Sequence, residues 1–164
     1  MITSTCAPCQ PVAAVLTDGP EAAAVARCAA RIATEQHRPL VLLVPMLRSA
    51  FTVDAVITAR VHREALHEAE AIAARARPAL EAAGLPARVQ IVWHRACPFR
   101  RARQARAIAV AHAVHGAGAA VVVTPARVPL PTVDHGAGIV LVAESGGSPL
   151  TVHRPARSRG LAEL

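Results

Sequence analysis

Two pairs of residues in this chain have the types and spacing of a metal or redox centre. Two residues separate Cys6 from Cys9, and two separate His94 from Cys97. Thiolate and imidazole donors in paired spacing are what a tetrahedral zinc site needs. The elements that carry them argue the other way. Cys6 and Cys9 precede the first predicted strand, whereas His94 and Cys97 follow the third. In a parallel sheet those positions lie at opposite edges, about five residues or ~17 Å apart, too far for one ion within one subunit. As a redox pair, Cys6–Cys9 would need its first cysteine at a helix N-terminus, where the dipole favours the thiolate. Here a strand follows. The reading is no metal site, an incidental or oxidisable thiol pair in a tail, and Cys28 in the core.

Other chemistry is sparse. His67-Glu68 does not continue into a His-Glu-x-x-His zinc motif, because position 71 is alanine. His62 and His67 read as residues of a solvated helix face. The chain has no nucleophile elbow, no P-loop and no paired carboxylates, and its aspartates are Asp18, Asp54 and Asp134 alone. No catalytic residue is assigned. Arg100, Arg101, Arg103 and Arg106 cluster where a helix opens. Cations there oppose the helix dipole by ~0.3–1 kcal/mol each, a cost that a bound anion would relieve. Solvent-screened arginines on an open face are the plainer alternative.

Composition narrows the class. The formal charge is +7 and apolar residues make up 53% of 164 residues. Alanine supplies most of the apolar excess, and lysine, asparagine and tyrosine are absent. That pattern fits a GC-rich coding sequence and discounts the basic pI as a sign of nucleic-acid binding. Two Phe and one Trp offer no aromatic platform for single strands. No apolar run approaches the ~18 residues of a membrane span. The opening residues carry neither charge nor an apolar run, so no secretory signal is read and a cytoplasmic protein is expected.

The positioning elements alternate. Pro11–Asp18 and Leu40–Pro45 are apolar without a polar face, as expected of parallel strands covered on both sides. Arg88–Trp93 and Ala119–Thr124 continue the series. Helices are predicted over Pro20–Glu35, Val61–Ala83 and about Pro98–His115. Pro78 should kink the second, and Gly84 should cap it. Met46–Arg60 reads as a loop with one turn of helix at most. Pro125–Gly138 carries no helical stripe. Ile139–Ala143 is a fifth strand, and Leu150–His153, after a Ser145–Ser148 turn, a short sixth. Strands alternating with helices imply right-handed crossovers and a parallel sheet with helices on both faces. Residues 1–10 read as a tail, 11–153 as one domain and 154–164 as a basic tail.

Three stretches carry a family resemblance: VLTDGPEAAAVARCAARIA, LVLLVPM and HGAGAAVVVTPAR. Together with the element order they resemble the universal stress protein family over residues 11 to 127. The resemblance implies a single doubly wound, mainly parallel five-stranded sheet of order 3-2-1-4-5, with Leu150–His153 as a candidate extra C-terminal edge strand. It implies a ligand crevice where strands one and four diverge. ATP-binding members follow strand four with glycine, two residues and glycine, then a later glycine before Ser or Thr. Such glycines let phosphates approach backbone amides. Here the two glycine positions hold Thr124 and Arg127, with Pro125 and Ala126 between. Gly136 and Gly138 lie near the third, with no Ser or Thr after either. The family's fourth helix has no counterpart.

Asp18 keeps its place. In ATP-binding relatives the matching aspartate contacts the adenosine end, while aspartate is equally suited to capping the first helix or its turn. The expectation is therefore a non-catalytic, dimeric stress-response or regulatory module without the usual ATP-binding loop. One alternative is an adenine-nucleotide binder using Asp18, backbone groups of Val44–Met46, Thr124, Arg127 and Gly136. Another is an enzyme acting on a small anionic substrate in the same crevice. A homodimer through the C-terminal strands is the expected assembly, with no membrane or nucleic-acid partner.

Overall fold

The structure, a computed structural model, describes residues 10–48, 54–95, 101–126, 128, 137–143 and 149–155. Strand β1 (Val12–Val15) is buried at every position. The chain then turns into α1 (Ala22–Glu35), whose Ala22, Val25, Ala29 and Ile32 pack on the sheet. His37 ends this helix with φ of 51°, a left-handed residue of the kind that closes helices. β2 (Leu40–Arg48) follows, with its first five residues buried.

The predicted loop Met46–Arg60 is the first correction. β2 extends to Arg48, and α2 (Ala55–Ala74) starts six residues before Val61. Asp54 caps it, accepting from the Val56 amide at 2.8 Å and the Ile57 amide at 3.4 Å. Val56 and Ile57 are 76% and 48% exposed, so this first turn has no buried stripe to betray it. The predicted Pro78 kink is a full break. α2 stops at Ala74, and α3 (Arg77–Ala83) restarts with the proline in its first turn, where its missing donor costs nothing. Gly84, at φ 62°, closes α3 as expected.

β3 (Ala87–Arg95) pairs with β2 along all nine positions. α4 (Ala102–Gly116) leads back to β4 (Val121–Pro125), starting a turn later than predicted. β5 (Ala137–Ala143) and β6 (Pro149–Pro155) complete the sheet. Its order is β3-β2-β1-β4-β6-β5. The four-strand parallel block 3-2-1-4 matches the expectation.

The rest of the order 3-2-1-4-5 is corrected. β6 lies beside β4, antiparallel, and β5 lies outside β6. No helix crosses from β4 to β5 among the described residues, and without a crossover a strand is free to add antiparallel. The sixth strand is thus an inner strand rather than the extra edge strand. Leu150 and Val152 are 0% and 1% exposed and join the main core. Each such burial contributes about 1.5–3 kcal/mol.

Two cores flank the sheet. The larger lies under α1, α2 and α3, with Val12, Ala14, Leu16, Leu42 and Val44 inside it. The smaller gathers Ala13, Val15, Leu43, Val122, Val128 and Val110 of α4. Helices therefore cover both faces, as expected of a doubly wound sheet.

Candidate functional site

β1 and β4 share the C-terminal end of the sheet where connections depart to opposite faces, the place where open α/β sheets form a crevice. The β1–β4 ladder stops at Ala14–Val123. The β1–β2 ladder stops at Val15–Leu43, with one more bond from the Leu16 amide to the Leu43 carbonyl at 2.9 Å. β2 runs five residues further, to Arg48, paired there with β3 alone. The longer pair forms a wall above the shorter one.

The floor comes from the β1–α1 turn. The Thr17 hydroxyl donates to Glu21 Oε1 at 3.2 Å, and both residues are buried. The Ala22 amide donates to the Gly19 carbonyl at 3.2 Å, which closes the turn. Glu21 occupies the N-cap position of α1 without a side-chain cap bond. Its carboxylate lies where the helix dipole favours negative charge. Asp18 is exposed. Its carbonyl accepts from Arg75, just beyond the end of α2. Asp18 is thus placed in the β1–α1 turn, and α1's N-cap position belongs to Glu21.

Thr124 is the buried polar residue on the β4 side. It is 0% exposed, and its hydroxyl has no hydrogen-bond partner. One step beyond Ala14–Val123, it lies level with Val15 and diagonal to Thr17. Strand alternation puts it on the face of Val122. The Val128 amide donates to the Pro125 carbonyl at 2.9 Å, so the chain turns sharply after β4 and the Pro125 carbonyl is engaged.

The remaining predicted residues separate. Val44 is fully buried in the larger core. The Leu43 carbonyl bonds β1, so alternation aims the Val44 backbone towards β3. Arg127 and Gly136 lie outside the described residues, as do Cys6, Cys9, Cys97 and Arg100. Cys28 is a buried thiol outside any disulfide. Arg101 and Arg103 are exposed, and Arg106 is partly buried.

His67 is on the solvated face, 3.6 Å from Glu70. His62 is exposed yet stacks on Trp93, with ring centroids 4.8 Å apart. Among the described residues no group of three His, Cys, Asp or Glu could hold a metal, and no helix is long and apolar enough to cross a membrane. A shallow cavity of about 1170 Å³ lies at the opposite end of the strands, lined by Pro11, Pro39, Arg88, His112 and Ala117 among others.

Sequence reasoning missed the Thr17–Glu21 pair and Arg75. Their only signal was Thr and Glu four apart astride a Gly-Pro turn. The arrangement offers a buried carboxylate–hydroxyl pair, an unpartnered hydroxyl and an exposed carboxylate.

The fold is an open, doubly wound α/β sheet. No family model matches the chain, and no curated protein matches it. Among solved structures it is similar to a protein of the universal stress protein family from Burkholderia pseudomallei. That match has 15% identity and a TM-score of 0.46, and covers 73% of this chain and 83% of the other. It is also similar to a universal stress protein in complex with cAMP, at 19% identity and a TM-score of 0.43, covering 66% of this chain and 73% of the other.

Proposed function

We propose that the protein is a non-catalytic regulatory module of universal stress protein type that takes a small ligand in the β1/β4 crevice. The observation that carries this reading is the Thr124 hydroxyl, fully buried and unpartnered near the C-terminal end of β4. A buried polar group without a partner costs about 1–3 kcal/mol, and a ligand that bonds it recovers part of that cost. An adenine nucleotide is the first ligand class to try, with exposed Asp18 reaching its ribose. cAMP belongs in the screen because one similar structure was determined with it. ATP bound through its phosphates is disfavoured, because Thr124 and Arg127 stand at the two glycine positions and Pro125 between them has no amide hydrogen to offer.

Calorimetric titration with ATP, AMP, adenosine and cAMP tests the reading. The expected result is binding of a nucleoside or monophosphate that weakens in Asp18→Ala, with ATP no tighter. Micromolar ATP affinity lost in Asp18→Ala would replace it with a conventional ATP-binding member. Turnover of a bound nucleotide would make the protein an enzyme.

A cytoplasmic, stress-responsive homodimer completes the proposal. Among the described residues β5 pairs with β6 alone, so its outer edge is available to a second copy. Deleting residues after Gly146 would remove the inner strand β6 and so strip β4 as well. Light scattering on the intact chain is therefore the sound measurement, and a monomeric mass at micromolar concentration would overturn the dimer.

A further inference from the structure

We propose that His94 and Arg106 form a second site, separate from the crevice, that binds a small oxyanion between the end of β3 and the opening turns of α4. Val92 belongs to the core under α4, and His94, two residues on, shares its face of β3. Val110 is fully buried in the same core. Arg106 precedes it by four residues, on the same stripe of α4. His94 Nδ1 and Arg106 Nε are both buried atoms with no hydrogen-bond partner. An arginine Nε always carries its proton and can only donate, so it requires an acceptor.

The chain supplies no carboxylate for the task. Between Glu81 and Asp134 there is no Asp or Glu, while the same stretch holds seven arginines. β3, α4 and β4 fall inside it, and β2 also has no acid. In register His94 pairs with Leu47, and the Arg106 charge acts on it, with exposed Arg103 one turn earlier on α4. Arg48 and Arg95 pair at the next position, on the opposite face. Burial and then the Arg106 charge hold the His94 imidazole below its ordinary pKa. That is the state of an imidazole beside a guanidinium with no carboxylate on these elements to offset it.

An oxyanion would accept one bond from Arg106 Nε and one from a protonated His94 Nδ1, both charge-assisted. Exposed Arg103 precedes Arg106 by three residues on α4. Phosphoryl and carboxylate groups share this chemistry. The site lies two strands from β1, about 10 Å, so it stands or falls independently of nucleotide binding in the crevice.

The test is an NMR titration of the His94 imidazole in the intact protein, with inorganic phosphate in one series and acetate in another. The resonance is assigned by its loss in His94→Gln. The expected result is an upward movement of the His94 titration on adding anion. A response to phosphate alone identifies a phosphoryl site, and a response to both a general oxyanion site. In Arg106→Gln the free protein should titrate higher, because a facing charge is gone. Phosphate affinity should then fall about tenfold or more. A His94 titration that neither anion moves overturns the proposal, as does a phosphate response of undiminished affinity in Arg106→Gln.

Discussion

The guanidinium of Arg75 donates to the main-chain carbonyl of Asp18, across 57 residues of sequence. This bond ties the break between α2 and α3 to the turn that floors the crevice. The contact is exposed, so its worth is that of one charged hydrogen bond in water, about 1 kcal/mol. Arg75→Ala should lower the urea midpoint slightly without changing the slope. Amide exchange at Gly19 and Glu21 should accelerate more than in the central strands.

Thr124→Val should leave the ligand-free protein as stable or more stable, by about 1–2 kcal/mol, because it removes a buried hydroxyl that bonds nothing. The same change should weaken any crevice ligand. Urea melts and calorimetry on one preparation read both effects. A marked loss of stability would show that the hydroxyl has a partner in solution.

His94 sets an acid sensitivity whose sign follows from its lowered pKa. Between the ordinary imidazole value, ~6.5, and the lower folded value, the unfolded chain binds the proton more readily. Stability from this group is fully present above ~6.5 and is lost as pH falls towards the folded value. Urea midpoints measured from mildly alkaline to mildly acidic pH should fall less steeply in His94→Gln. Added phosphate should also reduce the fall, because it stabilises the imidazolium.

Asp54→Ala should cost about 1 kcal/mol by removing the cap on α2, whereas Asp54→Asn should be nearly neutral. Thermal melts of the two variants give the comparison. Equal losses would place the effect in the charge of Asp54 rather than in its bonds to the Val56 and Ile57 amides.

The parallel block was readable because β1, β2 and β4 are apolar on both faces and separated by helical stripes. A disturbance at Pro78 was readable because proline has one cheap place in a helix, but it was read as a kink and not as the break into α2 and α3. The start of α2 was hidden, since Val56 and Ile57 are exposed and a helix turn that buries nothing has no periodicity. The order of β5 and β6 was hidden for a different reason. Both are short apolar strands, and either could lie beside β4 until the hairpin between them is known. Asp18 and Thr124 were named from the family resemblance, as the matches of its first-turn aspartate and its first loop glycine. The Thr17–Glu21 bond depends on the angle of a turn, and Arg75 reaches the site from a distant helix. No local pattern encodes either.

The position of β6 sets the order in which the sheet can be completed during synthesis. Residues 149–155 leave the ribosome after every other strand, yet they occupy an interior place between β4 and β5. Until then β4 has a free backbone edge, and β5 has no neighbour with which to join the sheet. The nascent chain therefore carries a folded 3-2-1-4 block with an open apolar margin, the kind of edge that invites pairing with other chains. Leu150 and Val152 close that margin from within.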